Sequence, residues 1–290
     1  MSQCFHWKQV PPAEFAVIGS PISHSLSPLM QNAALQALGI NKRYVAIEVE
    51  PESFQEAMHH LVDLGFEGIN VTIPHKTAAF EWCQSHSEFA HDLGVVNTIR
   101  VSDRFGWNTD APGFMASLQG YEFAPLNDRS RLRAKVLGAG GSARAVVYAL
   151  VHGGWEVELW NRTENKATQL VSELSLEGRV TLMTTPSVDQ CELVVNCTSL
   201  GLTNDKVALN NLALNWELGI EGLVAYDLAY SEGLTPFLAE AKMAGFSVVD
   251  GRSMLVEQGA LSLEYWTGKE APREVMRKAI GAKNERSGSW

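Results

Sequence analysis

"AKVLGAGGSARAVVYAL", residues 134–150, runs from a short apolar strand through a glycine turn into a helix. The strand pattern ends at Leu137, and Gly138, Gly140 and Ala143 follow in G-x-G-x-x-A spacing. Two glycines permit a tight turn and the close approach of a pyrophosphate. The helix that begins near Ser142 offers N–H groups with no partner inside the helix, and anionic groups are held there. A tight strand-to-helix turn without a ligand uses the same residue types. The motif lies between the correct strand and helix, however, and that favours a nucleotide site. Gly138, Ala139, Gly140, Gly141, Ser142 and Ala143 are therefore the candidate pyrophosphate cradle.

The next strand, "EVELW", ends at Asn161, Arg162 and Thr163, with Lys166 one turn on. A site for NAD places an Asp or Glu at this point to bind the ribose hydroxyls. A carboxylate would repel a 2′-phosphate, whereas a guanidinium pairs with one bidentately. The residues present favour NADP over NAD. The competing reading is a solvated basic loop with Thr163 as cap of the following helix.

Outward from this turn the chain alternates strand and helix. Towards the C-terminus, "RVTLMT", "CELVVNC", "LVAYDLAY" and "FSVVDG" read as strands, and "SMLVEQGALSLEYWTG" reads as a helix. Towards the N-terminus, "FAVIG" (15–19) and "RYVAIEV" (43–49) are strands. "SPLMQNAALQALG" is a helix stopped by Gly39, and "PESFQEAMHHLVDLG" is a helix opened by Pro51. Repeated strand–helix–strand units imply largely parallel sheets covered by helices. A chain of 290 residues exceeds what one core usually serves, so two domains are expected. The tail "GAKNERSGSW" has little to bury and is expected to fray.

In "EGINVTIPHKTAAF", residues 67–80, Ile69, Val71 and Ile73 alternate as in a strand that Pro74 stops, and Lys76 follows at once. "VVNTIRVSDRFGWNTD", residues 95–110, reads as a hairpin around Asp103 and ends on Asp110. Taken singly, Lys76 is a solvated residue at a helix start, although the helix dipole disfavours a cation there. Asp110 is a cap for "APGFMASLQG", and Ser25 and Ser27 are caps for the helix after them. Beside a nicotinamide site they take on a second meaning. Hydride reduction of a ketone leaves an alkoxide that must be protonated or stabilised, and the reverse reaction needs a proton acceptor. An ammonium oriented by a carboxylate serves both directions.

"SPISHSLSP", "NVTIPHK", "VVNT", "WNTD", "GAGGSARA", "NRT", "YDLAY" and "MLVEQGA" together resemble the shikimate dehydrogenase family in order and spacing, over the whole chain except its two tails. The resemblance implies an α/β protein with a substrate domain over 1–110, completed by a helical segment at about 253–283. It also implies a Rossmann NADP-binding domain over 111–252, with a cleft between the two. The implied reaction is the reversible NADPH reduction of 3-dehydroshikimate to shikimate in the shikimate pathway of aromatic amino-acid biosynthesis. Carried over by position, Lys76 and Asp110 are the catalytic pair. Ser25 and Ser27 bind the substrate carboxylate, and Thr72, Asn97, Tyr230 and Gln258 hold its hydroxyls or carboxylate. Asn161, Arg162, Thr163 and Lys166 surround the adenosine phosphate, and backbone near Gly251 and Met254 meets the nicotinamide. The chain departs from the family pattern at Ala111, where glycine is usual, and at Ser253 in "DGRSM", where glycine is common.

Two alternatives remain at this level. One is a quinate/shikimate dehydrogenase using NAD or both cofactors. The other is a retired dehydrogenase acting as a nucleotide sensor, which would be expected to have lost Lys76 or Asp110. A net charge of -10 argues against a nucleic-acid partner, leaving a small-molecule substrate and a monomer or homodimer. The N-terminal residues lack a signal-peptide core and no run is long enough for a membrane span, so a cytoplasmic location is expected. Cys4, Cys83, Cys191 and Cys197 have no zinc spacing and read as reduced thiols, and the histidines give no metal-ligand pattern.

Overall fold

The computed structural model describes residues 4–125, 130–198, 212, 214–231 and 233–282, so residues 283–290 of the expected frayed tail lie outside it. The described residues up to Gly113 and from Leu255 onward form one compact unit, and those from Phe114 to Met254 form another.

The first unit contains β1 (Cys4–His6), β2 (Phe15–Gly19), α1 (Ser27–Ala37), β3 (Tyr44–Glu48), α2 (Phe54–Asp63), β4 (Gly68–Val71) and α3 (Lys76–Trp82). It continues through β5 (Ser85–His86), α4 (Glu88–Leu93), β6 (Thr98–Arg100), β7 (Phe105–Trp107) and the start of α5 (Asp110–Ser117). The seven strands form one sheet in the order β1-β3-β2-β4-β6-β7-β5. Pairing is parallel except where β6 meets β4 and β7. The hairpin expected around Asp103 is β6–β7. The strand expected to run to Ile73 ends at Val71, because the chain turns there, with His75 N–H donating to Thr72 O at 2.9 Å. Ile73 is 59% exposed, so its place in the alternation does not mark a buried position.

The alternation of β2 and β3 divides their side chains between two cores. Ala16, Ile18, Val45 and Ile47 pack with Ile69 and Val71 against Phe54, Met58 and Leu61 of α2. Phe15, Val17, Tyr44 and Ala46 pack on the other face against Met30 and Leu35 of α1.

The second unit follows with β8 (Arg133–Leu137), α6 (Gly141–His152), β9 (Glu156–Trp160), α7 (Glu164–Glu173), β10 (Val180–Leu182), β11 (Leu193–Asn196) and β12 (Val224–Asp227). Then come α8 (Pro236–Met243), β13 (Ser247–Asp250), α9 (Gly251–Thr267) and, back in the first unit, α10 (Arg273–Ala279). Val256, Ala260 and Leu263 of α9 and Met276 of α10 complete the Phe15–Tyr44 core. Fully burying a Leu or Met side chain stabilises by about 1.5–3 kcal/mol, so Leu263 and Met276 contribute to holding the C-terminal segment on the first sheet.

The second sheet has the order β10-β9-β8-β11-β12-β13, parallel throughout. Numbered within this unit the order is 3-2-1-4-5-6, the Rossmann arrangement. The strand order reverses beside β8, and the Gly138 turn leaves the carboxyl end of that strand, where such sheets hold ligands.

Candidate active site

In the first unit the polar residues gather beyond the carboxyl ends of β2 and β4. Ser20 Oγ donates to Glu48 Oε1 at 2.7 Å and the Ile22 N–H to Glu48 Oε2 at 3.1 Å, which ties the loop before α1 to the end of β3. Neither motif serine caps α1 through its side chain. Ser25 Oγ accepts from the Ser27 N–H at 3.3 Å, and the Ser27 hydroxyl is buried beside that of Tyr44. Burial pushes the Tyr44 phenol well above its usual value, opposed by the hydrogen bond from Ser27.

Lys76 Nζ donates to Asp110 Oδ2 at 2.5 Å, and the two side chains are 14% and 9% exposed. Asp110 does not cap its own helix. Asn108 Oδ1 takes that role, accepting from the N–H groups of Asp110 and Ala111 at 3.1 and 3.2 Å. The carboxylate of Asp110 is thereby left for other partners, at a helix start where negative charge is favoured. Its Oδ1 accepts from Asn97 Nδ2 at 2.9 Å. The same Nδ2 faces Thr109 Oγ1 at 2.9 Å and Gln258 Oε1 at 3.4 Å, while Asn97 Oδ1 accepts from the Thr109 N–H at 2.8 Å. Lys76, Asp110, Asn97 and Gln258 therefore meet in one cluster. Thr72 is half-buried just past the end of β4, four residues before Lys76.

A buried polar layer supports this cluster. Asn70 Nδ2 reaches Asn97 O, Thr98 Oγ1 and Ser262 Oγ at 3.1, 3.0 and 2.9 Å, and Asn70 Oδ1 accepts from the Tyr44 hydroxyl at 2.8 Å. Thr98 and Ser262 hydroxyls lie 2.8 Å apart. The sheet core is thus polar where it underlies the site, and each group there has a partner, as burial requires.

In the second unit, Gly138 has φ +110, and a Cβ there would lie 3.1 Å from the Cys197 carbonyl group. Only glycine suits that combination of conformation and crowding. At Gly140 and Gly141 a Cβ would meet nothing within 4 Å, so the turn is open on that side. The N-cap of α6, Gly140, brings no side-chain acceptor, which leaves the helix N–H groups available to an anion. Asn161 Oδ1 accepts from the Ala139 N–H at 3.1 Å, and its Nδ2 donates to Thr163 O at 2.8 Å. Asn161 therefore knits the glycine turn to the following loop. The Thr163 side chain makes no cap bond to α7. Arg162 and Lys166 are exposed and, among the described residues, form no ion pair. An open turn, free helix N–H groups and unpaired cations together fit a dinucleotide with a 2′-phosphate.

Comparison with known proteins agrees with this geometry. Residues 17–99 match the shikimate dehydrogenase substrate binding domain, and residues 251–280 match the shikimate 5′-dehydrogenase C-terminal domain. The NADP(+) shikimate dehydrogenase of Methanopyrus kandleri is 39% identical, over 91% of this chain and 93% of that protein. That of Moorella thermoacetica is 41% identical, over 92% and 93%. The chain belongs to the shikimate dehydrogenase family. Among solved structures it is similar to shikimate 5-dehydrogenase from Thermus thermophilus in complex with NADP(H) and shikimate. That match has a TM-score of 0.80 and 36% identity, covering 92% of this chain and 98% of that one.

Of the family positions in the second unit, Tyr230 is half-buried just after β12, and Gly251 and Met254 are buried at the start of α9. Asp227 shapes this region. Its Oδ1 accepts from Asn196 Nδ2 and the Ala229 N–H, both at 3.1 Å, and its Oδ2 accepts from Thr235 Oγ1 at 2.6 Å. Burial raises its carboxyl to about 6, with Asp250 adding to the rise and the three hydrogen bonds opposing it. The turn so fixed packs on Gly251, where a Cβ would lie 2.0 Å from Leu228 O. Ala111, the departure after Asp110, is buried, and Ser253 is half-buried. The supporting residues Asn70, Asn108, Thr109, Ser262 and Asp227 are given no role by the sequence, although Asn70 stands inside "NVTIPHK", Asn108 and Thr109 inside "WNTD", and Asp227 inside "YDLAY". All four cysteines are free thiols. Among the described residues there is no acidic, His or Cys group arranged for a metal, and no helix is long and apolar enough to cross a membrane.

Proposed function

We propose that the protein catalyses the reversible NADPH-dependent reduction of 3-dehydroshikimate to shikimate, with Lys76 and Asp110 as the catalytic pair. The carrying observation is the Lys76–Asp110 contact at 2.5 Å, with Asn97 on the second carboxylate oxygen. When bound, the cofactor supplies a hydride to the substrate carbonyl. Lys76 faces the developing alkoxide with an ammonium that gives or shares a proton, and Asp110 orients that ammonium and balances its charge. In the oxidative direction the same pair accepts the hydroxyl proton. Asn97, Gln258, Thr72 and Tyr230 fix the ring, and Ser25 and Ser27 supply hydroxyls for the carboxylate. Gly138 to Ala143 cradle the pyrophosphate. Arg162, Thr163 and Lys166 face the 2′-phosphate, and Asn161 holds their loop in place. Backbone at Gly251 and Met254 borders the nicotinamide.

In this reading the first unit is the substrate domain and the second the dinucleotide domain of a cytoplasmic biosynthetic enzyme, acting as a monomer or homodimer on small molecules. The test is to mix the protein with shikimate and NADP+, then with quinate and NAD+, following the absorbance of reduced nicotinamide. Turnover with the first pair well above the second is expected. Preference for the second pair would make it a quinate enzyme, and turnover with neither would return the nucleotide-sensor reading.

A further inference from the structure

The amide of Asn108 links the backbone at Asp110 to the Val95 segment that lies beside Lys76. Its Oδ1 accepts from the N–H groups of Asp110 and Ala111, and its Nδ2 donates to Val95 O at 3.4 Å. The next residue, Val96, donates its N–H to the backbone carbonyl of Lys76 at 3.0 Å. The contacts close a ring. Asn108 holds the backbone of Asp110, the Asp110 carboxylate meets the Lys76 ammonium, the Lys76 carbonyl holds Val96, and Val95 returns to Asn108. Asn97, which donates to the Asp110 carboxylate, follows directly in the same 95–97 segment. Asn108 is 3% exposed, so losing its acceptor strands two buried N–H groups away from water.

We infer that Asn108 is a positioning residue whose amide sets the spacing of Lys76 and Asp110, by holding the start of α5 against the segment that anchors the Lys76 backbone. The inference rests on the functional reading above for its consequence in turnover, and on the ring of contacts for its structural content. The residue type is selective. A serine keeps an acceptor for the helix N–H groups and loses only the long bond to Val95. A glycine is nearly as good as asparagine at starting a helix but offers neither arm. Serine therefore separates helix stability from positioning.

The test compares Asn108→Ala, Asn108→Gly and Asn108→Ser with the unaltered protein through two readouts. The first is kcat with shikimate and NADP+. The second is acylation of Lys76 by an amine-reactive ester, mapped by peptide mass spectrometry and referenced to the exposed Lys269. Alanine and glycine are expected to lower kcat on the order of 10- to 100-fold, the scale of a small misplacement of catalytic groups. NADPH affinity should be unchanged, and Lys76 should be acylated several-fold faster as its carboxylate partner drifts. Serine, which satisfies the helix N–H groups but lacks the arm to Val95, is expected to match glycine in both readouts. Unchanged Lys76 labelling in the glycine variant overturns the inference whatever the turnover, and so does a serine variant that matches the unaltered protein. If the unaltered protein fails to oxidise shikimate, the functional reading falls, and the labelling alone still decides the role of Asn108. If alanine prevents folding, glycine and serine carry the comparison.

Discussion

Lys76 Nζ stands 2.5 Å from Asp110 Oδ2, while Oδ1 of the same carboxylate accepts from Asn97 at 2.9 Å. An ionised carboxylate has about four lone-pair sites, so each oxygen keeps acceptor capacity after these bonds. Lys76, with three N–H donors, likewise keeps donors beyond the one given to Asp110. The pair is oriented without being saturated, which suits its proposed contact with a substrate oxygen in both directions of the reaction.

In the proposed mechanism, replacing Lys76 with alanine removes the proton-bearing group and leaves the residues assigned to the ring in place. kcat is expected to fall by roughly 10²–10⁴-fold, the usual contribution of a positioned acid or base, with the KM for shikimate changed only a few-fold. Steady-state kinetics on protein with an unchanged circular dichroism spectrum check this. A large rise in KM with intact kcat would make Lys76 a binder instead.

Arg162 is exposed beside the glycine turn and lacks an ion-pair partner among the described residues, so its removal disturbs little of the fold. A charge-assisted hydrogen bond contributes about 1.5–3 kcal/mol, so Arg162→Gln should raise the KM for NADP+ by roughly 10- to 100-fold. The KM for NAD+, which has no 2′-phosphate, should stay within a few-fold. Equal effects on the two cofactors would remove Arg162 from the phosphate site.

The parts of this site that were legible in the sequence are those whose spacing has a direct physical consequence. Gly138 and Gly140 between strand and helix foretell the open turn, and the absence of an acid at 161–163 favours NADP, with which the exposed Arg162 agrees. Lys76 and Asp110 were legible only in combination, since each alone passes for a surface charge or a cap. The competing reading of Asp110 as a cap does not hold, because Asn108, two residues earlier, takes the helix N–H groups. Residues such as Asn70, Thr98 and Ser262 are distant in the chain, and their meeting depends on the register of β4 with β6 and on the docking of α9. β1 leaves no signal in the sequence because a three-residue strand, "CFH", carries no period, although it pairs with Ala46–Glu48 of β3. α8 escaped notice although Thr235 and Pro236 mark its start, and the Thr235 hydroxyl accepts from the Leu238 N–H at 3.3 Å.

The buried layer under the site predicts a coupled stability effect. Asn70→Leu leaves the Tyr44 hydroxyl without its acceptor, and an unsatisfied buried polar group costs about 1–3 kcal/mol. Combining Asn70→Leu with Tyr44→Phe removes both partners and should recover much of that loss. Urea unfolding of the two single variants and the double variant measures the coupling. Strict additivity would show that the Tyr44–Asn70 bond is not the source.

Asp227 gives the pH dependence a definite sign. Its carboxyl lies at about 6 in the folded protein against an ordinary 3.8, because burial disfavours the charge. Between these values the folded state holds a proton that the unfolded state has released. The contribution of Asp227 to stability therefore falls as pH rises from about 4 to 6 and is level above that. A shift of this size corresponds to roughly 3 kcal/mol at 1.36 kcal/mol per pH unit. Other carboxylates, such as Asp189 and Glu173, are lowered by hydrogen bonds from Lys135 and Arg144 and act in the opposite sense, so the whole-protein curve conceals the effect. The difference between Asp227→Asn and the unaltered protein isolates it. An asparagine presents its carbonyl to Asn196 and the Ala229 N–H and its amino group to Thr235, so the turn before Tyr230 survives. The variant should gain stability relative to the unaltered protein as pH rises through this window, with a constant difference at pH 7 and above. Urea unfolding at intervals across the window measures this, and a difference independent of pH would mean that the Asp227 carboxyl titrates alike in the folded and unfolded states.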